Sequence, residues 1–162
     1  MKTLYVDMDG VLCVFNKDKS LEEISEPGYF ENLLPMANVV RAIENLLNDK
    51  DVSVTVLSHV INDRAAHEKR RWLKRYFKDD VDAIFVPYGM SKAVFLKKLR
   101  YPVEEAYLLD DFTRNLFEWQ GTGIKLLNGI NNTHQSWNGF VVNGKMSADG
   151  LSGSIKALMN AG

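Results

Sequence analysis

A chain of 162 residues, 46% hydrophobic and 25% charged, has the size and balance of one globular domain with a proper core. Its 20 basic and 21 acidic residues leave a formal net charge of -1, which excludes a global field for a nucleic-acid polymer or an anionic membrane. The lone cysteine, Cys13, excludes an internal disulfide and a cysteine-based zinc site, and suits a reducing compartment, with the cytoplasm as the expectation.

The start, MKTLYVDMDG, holds no apolar run long enough for a signal peptide or a membrane span, and residues 3–6 read as a first strand. That strand runs into Asp7-Met8-Asp9-Gly10-Val11. Residues 15–35 are polar and then aromatic, with Pro27-Gly28-Tyr29-Phe30, and predict a small helical lid inserted at about 15–37. Phe15, Tyr29 and Phe30 there are read equally as rings that stack on a base or as a small apolar cluster. Helical spacing covers 38–47, and a second strand at 52–57 leads into Ser58-His59. The next helix, 64–76, carries Lys69-Arg70-Arg71, Lys74 and Arg75; Trp72, Leu73 and Tyr76 interleave with them, so the basic run is read as a solvated helix face over a buried stripe. A third strand at 83–86 ends without a carboxylate, and Gly89-Met90-Ser91 introduces a helix over 91–99 with Lys92 in its first turn. A fourth strand, 106–109, runs into Asp110-Asp111 and a helix over 114–120, where Trp119 is read as core. A fifth strand spans 125–127, and the Asn- and Gly-rich stretch 128–150 predicts a short hairpin at 140–146 turning at Asn143-Gly144. Trp137 in that stretch is read as either a packing or a contact residue, and 151–159 as a closing helix.

This alternation predicts an α/β sandwich, a parallel sheet of buried central strands with helices on both faces. In such sheets the reacting groups gather beyond the carboxyl ends of the strands, where Asp7, Asp9, Ser58, Asp110 and Asp111 fall, with Lys92 opening a following helix. Adjacent carboxylates there are costly unless a divalent cation neutralises them, and oxygen donors from Asp7, Asp110 and the Asp9 backbone carbonyl suit Mg²⁺. Asp7 can then attack phosphorus, Asp9 can serve as acid and base, and a hydroxyl and an ammonium, Ser58 and Lys92, can hold the other phosphate oxygens. Each has a plainer reading: Asp7 and Asp9 as a turn and cap, Asp111 as an N-cap, Lys92 as a surface lysine, Ser58 as a strand end. Their joint order at the strand ends weighs against those readings. His67 and His134 lack partners at metal spacing, His59 is assigned no role, and the glycosylation pattern Asn131-Asn132-Thr133 carries no weight without a secretion signal.

Asp7-x-Asp9-Gly10-Val11, Ser58, Lys92 and Asp110-Asp111 resemble the four ordered motifs of the haloacid dehalogenase (HAD) superfamily, over roughly residues 1–128. The resemblance implies a HAD-like Rossmann fold in a single domain, 1–162, and a phosphohydrolase that forms an aspartyl-phosphate. By the same resemblance Asp7 is nucleophile and metal ligand, Asp9 the general acid/base and a ligand through its carbonyl, Ser58 and Lys92 phosphate binders, Asp110 a metal ligand and Asp111 a supporting carboxylate. The Asp-Met-Asp-Gly-Val-Leu start, Pro-Gly-Tyr-Phe before Leu34-Pro35, and Asn115 with Glu118-Trp119 after the acidic pair are similar to the 5′(3′)-deoxyribonucleotidases of the cytosolic type C group. The substrate implied is a small phosphate monoester, a nucleoside monophosphate, with no nucleic-acid polymer or membrane as partner and a homodimer left open. The alternatives are a HAD phosphatase for another small phosphorylated metabolite and a non-catalytic phosphate-responsive binding domain. Response-regulator receivers share the residue types but carry their phosphorylated Asp on the third strand, which here ends Phe85-Val86-Pro87.

Overall fold

The computed structural model describes residues 1–130 and 136–162. In chain order its elements are β1 (Lys2–Val6), α1 (Leu21–Ile24), α2 (Ala37–Leu47), β2 (Val52–Val60), α3 (Asp63–Tyr76), β3 (Asp82–Pro87), α4 (Lys92–Lys98), β4 (Tyr107–Asp110), α5 (Thr113–Glu118), β5 (Thr122–Leu127), β6 (Phe140–Asn143) and α6 (Ala148–Ala161). The strands form one sheet in the order β3-β2-β1-β4-β5-β6, with every neighbouring pair parallel. All carboxyl ends therefore lie along one edge, and β1, which carries Asp7 on its end, sits between β2 and β4.

The two-residue period of the strands divides their side chains between two cores. Leu4, Val6, Val54, Val56, Tyr107 and Leu109 pack on one face with apolar residues of α2, α3 and α6. Tyr5, Leu57 and Leu108 point to the other face, against Ala93 and Leu96 of α4 and Leu116 of α5. Continuing the alternation past the apolar stretches sends Asp7 and Asp110 to the α4 side and Ser58 to the α3 side. Polar side chains cap the helices that frame this edge: Asn62 accepts from the Ala65 N–H at 2.8 Å at the start of α3, and Ser91 accepts from the Val94 N–H at 3.4 Å at the start of α4.

Past β1 the chain turns sharply. The Met8 carbonyl accepts from the amides of Val11, Leu12 and Cys13, and Gly10 takes φ +82°. The excursion that follows is closed at its base by Val14 N–H to Leu34 O and Met36 N–H to Leu12 O, each 2.8 Å, and it holds the single-turn helix α1 with a Ser20–Glu23 capping box. Its second half is tied to α3, where the Trp72 Nε1–H donates to Leu33 O at 2.8 Å and Arg71 and Arg75 both engage Glu31.

The sequence expectations need correction at three places in the fold. No hairpin forms at 140–146: β6 adds in parallel to β5 at the sheet edge, and the Asn143-Gly144 turn leads into α6. Asn38 stabilises that turn by donating to Gly144 O and Met146 O, both 2.7 Å, and the Asn143 side chain accepts from Lys145 N–H at 2.9 Å. The strands are not all central, since β3 and β6 are edges and β3 is correspondingly half-exposed. Finally, β2 runs three residues further than the apolar pattern, so Ser58 and His59 lie within the strand and pair with Phe85 and Val86.

Candidate active site

Asp7 leaves β1 with its N–H bonded to Leu109 O at 2.9 Å, which fixes its backbone beside the end of β4. There it meets Asp110, whose side chain is fully buried, and Asp111, 1% exposed. Carboxylate oxygens of Asp7, Asp110 and Asp111 all lie within 4.8 Å of one another. Lys92, delivered by the first turn of α4 from the same side of the sheet, donates to Asp7 Oδ1 at 2.8 Å and to Asp110 Oδ2 at 2.6 Å. Asp110 is held further by Asn115 Nδ2 at 3.0 Å and the Phe112 N–H at 2.9 Å. Asn128 Nδ2 bonds both Asp111 Oδ2 and Gly10 O, at 2.8 and 2.6 Å, linking the acidic pair to the turn after β1.

The three buried acids outnumber the buried ammonium groups near them, Lys92 and, close to Asp111 and Asp110, Lys125, and leave excess negative charge. Burial and then the charge of Asp110, with smaller contributions from Asp111 and Asp9, push the Asp7 carboxyl well above the ordinary carboxylate range despite the opposing pull of Lys92. Burial works to lower Lys92, yet the Asp110 and Asp7 carboxylates outweigh it and hold the ammonium above the usual lysine range. An all-oxygen donor set of this charge fits a hard divalent cation and no soft or nitrogen-seeking metal.

Asp9 and Ser58 belong to a second group on the α3 side. Lys69, fully buried, reaches down from the middle of α3 and donates to Asp9 Oδ2 at 2.7 Å, Ser58 Oγ at 2.8 Å and His59 O at 2.9 Å. The Phe30 ring covers the same ammonium, 4.6 Å from its centroid. The expectation that Lys69 belongs to a solvated basic face is therefore wrong for this residue. Ala65, Lys69, Trp72 and Tyr76 recur at spacings of four, three and four, so Lys69 sits on the buried stripe itself, and that periodicity was the available signal. Arg71 and Arg75 do stay at the surface.

The structure thus brings together every residue singled out from the sequence, with Asp7, Lys92, Asp110 and Asp111 in one cluster and Asp9 and Ser58 in the other. Both clusters open on one cavity of about 480 Å³ whose wall includes Asp7, Asp9 and Asp111. Phe15, Tyr88 and Phe112 line its mouth with Lys17 and Arg114, and Tyr88 and Phe112 are 65% and 49% exposed. His59 also borders it; its ring nitrogen Nε2 bonds Met90 O at 2.7 Å, and burial lowers its basicity below the ordinary histidine value. Of the other residues weighed, Trp119 is core and packs edge-on against Tyr5, and Trp137 packs against Phe117 and donates to Phe140 O. Asn131, Asn132, Thr133 and His134 lie outside the described residues. Among the described residues no helix is long and apolar enough to cross a membrane.

No family model and no curated protein matches the chain. Solved structures do. A protein from Legionella pneumophila assigned to the HAD superfamily (subfamily III A) as a hydrolase aligns over 99% of this chain and 84% of its own, with a TM-score of 0.58 and 16% identity. Chains from two structures of the Pnkp1/Rnl/Hen1 complex, one described as an RNA repair complex, each align over 88% of this chain at a TM-score of 0.57, with 17% and 16% identity. This chain spans only 46% and 42% of those two. At such identities the likeness is one of fold: the chain has a HAD-like α/β fold with a six-stranded parallel sheet.

Proposed function

We propose that this chain is a Mg²⁺-dependent phosphomonoester hydrolase of the HAD superfamily that works through an aspartyl-phosphate on Asp7, with a nucleoside monophosphate, a deoxyribonucleotide, as substrate. The observation that carries the reading is Asp7 on the carboxyl edge of the sheet, one oxygen bonded to Lys92, beside two buried carboxylates and on the wall of an open cavity. Asp7, Asp110 and the Asp9 carbonyl would hold the cation, with Asp111 in support, and it would supply charge neutralisation for the acids and the phosphate.

In the first half-reaction a carboxylate oxygen of Asp7 forms a bond to phosphorus as the ester P–O bond breaks, and Asp9 gives its proton to the leaving oxygen. In the second, Asp9 takes a proton from water as that water attacks phosphorus, and the bond to Asp7 breaks to release inorganic phosphate. Lys92 spends two of its three N–H bonds on Asp7 and Asp110, leaving the third for a phosphate oxygen; the Ser58 hydroxyl serves another. Support for a nucleotide comes from the rings of Phe15, Tyr88 and Phe112 beside Lys17 and Arg114, a rim suited to a planar base and its sugar. The near-neutral chain favours a small molecule over a polymer, and the buried, unpaired Cys13 suits the cytoplasm.

The test is phosphate release from ribo- and deoxyribonucleoside 5′- and 3′-monophosphates and sugar phosphates, with Mg²⁺ or EDTA, for the wild type and Asp7→Asn. Mg²⁺-dependent turnover of nucleotides that vanishes in Asp7→Asn is the expected result. Turnover confined to other esters removes the nucleotide assignment and keeps the mechanism; no turnover of any ester removes both.

A further inference from the structure

Resting on that reading, we infer that Lys69 is a positioning residue for the leaving-group step, orienting Asp9 and Ser58 together from α3 without touching the substrate. The geometry leaves it little else to do. An ammonium has three hydrogens, and those of Lys69 are taken by Asp9 Oδ2, Ser58 Oγ and the His59 carbonyl at 2.7, 2.8 and 2.9 Å. Its remaining side is closed by the Phe30 ring, and the residue is fully buried. No hydrogen is left for a phosphate oxygen, which distinguishes Lys69 from Lys92.

Two consequences follow for its partners. Asp9 is the most exposed of the site acids, its side chain 22% open, and lies on the cavity wall, so without an anchor its carboxyl would sample several rotamers. Lys69 holds one oxygen, Oδ2, while the other, Oδ1, has the long Cys13 thiol contact of 3.6 Å. Ser58 is constrained differently. With Lys69 donating into its oxygen, the hydroxyl must act as the donor, and its one alternative acceptor, His59 O, is at 3.5 Å, the limit of a hydrogen bond. The ammonium thus fixes an ambivalent hydroxyl as a donor. Lys69 comes from the face of the sheet opposite to Lys92, so the nucleophile and the acid are each bonded by a lysine from a different face of the sandwich.

The experiment compares Lys69→Met, Lys69→Arg, Asp9→Asn and the double variant Lys69→Met/Asp9→Asn on 4-nitrophenyl phosphate and on an alkyl phosphate, whose leaving oxygen needs protonation. Lys69→Met should lower kcat on the alkyl ester by about 100-fold, the low end of general acid–base contributions, and on 4-nitrophenyl phosphate by less than about 10-fold. The double variant should be slowed on the alkyl ester by much less than the product of the single effects, and the part of its loss beyond Asp9→Asn, which comes from Ser58, should be the same on both esters. Lys69→Arg, which keeps the charge, should recover part of the loss. Equal losses on both esters, or a double variant slowed by the product of the single effects, would overturn the inference. A second readout does not depend on activity: in wild-type protein the Lys69 ammonium should give a solvent-protected ¹⁵N–¹H signal, assigned by its loss in Lys69→Arg, and displaced in both Asp9→Asn and Ser58→Ala. If that signal is present and responsive but no ester is turned over, the catalytic reading fails and the positioning contact stands. An unprotected ammonium, or one indifferent to Asp9→Asn, sinks the inference whatever the activity.

Discussion

Replacing Gly10 by alanine should cost far more than a single methyl group usually does, because two penalties coincide there. The residue holds φ +82°, where a side chain costs about 1–2 kcal/mol. A Cβ would also overlap Asp111 Oδ2 and lie 2.8 Å from Asp111 Cγ and 3.1 Å from Asn128 Nδ2. That carboxylate has little room to retreat, since Asn128 bonds it at 2.8 Å and the residue is 1% exposed, so overpacking adds about 1–3 kcal/mol. The sum is about 2–5 kcal/mol, or a fall in Tm of about 4–20 °C for a domain of this size. Gly89 supplies the control. It holds φ +86°, but an added Cβ meets nothing within 4 Å, so Gly89→Ala should show the conformational cost alone. Urea unfolding of both variants in EDTA gives the difference, about 1–3 kcal/mol, as the cost of moving Asp111. Calorimetric Mg²⁺ titration of Gly10→Ala should then show affinity reduced about tenfold or more, as when a supporting partner of a metal site is displaced. Equal costs for the two variants within about 0.5 kcal/mol would show that Asp111 is not held against the turn, and the reasoning about the cluster would fail.

Mg²⁺ should raise Tm, and by more at pH 8 than at pH 5. Burial and the neighbouring carboxylates hold the folded Asp7 carboxyl above its unfolded value, so without metal its contribution is fully present below the unfolded value and is lost as pH rises through the folded one. A cation offsets that loss, and a stabilisation by Mg²⁺ that stays constant across thermal scans from pH 5 to 8 would contradict the charge argument. Lys92→Met should destabilise the protein in EDTA by about 3–5 kcal/mol, because it strands Asp7 and Asp110 in a buried site without their shared cation. Chemical denaturation checks this, and a cost under about 1 kcal/mol would mean that the acids have another partner.

The sequence disclosed the Asp7–Lys92–Asp110–Asp111 cluster because a parallel sheet converts order along the chain into proximity at one edge. An acid after an apolar, β-branched run can be placed there without knowing any distance. Lys69 escaped notice because charge and burial point in opposite directions for a lysine: within Lys69-Arg70-Arg71 nothing but helical phase separates the inward side chain from its outward neighbours. The edge strand β6 is hidden in the sequence for a different reason. Asn143-Gly144 has the chemistry of a hairpin turn, yet what decides its role is the Asn38 side chain of α2, more than a hundred residues earlier, which binds Gly144 O and Met146 O and directs the chain into α6. The end of β2 lies beyond the apolar pattern because Ser58 and His59 break that pattern while the ladder to β3 carries the strand on to Val60.

The stereochemical course at phosphorus tests for the phosphoryl intermediate on Asp7 without requiring it to accumulate. With a phosphorothioate monoester made chiral by sulfur and two oxygen isotopes and hydrolysed with Mg²⁺ in water carrying the third isotope, two successive in-line displacements should give chiral inorganic thiophosphate with net retention of configuration. Net inversion would mean that water attacks the substrate directly, and Asp7 would then be a metal ligand and not the nucleophile.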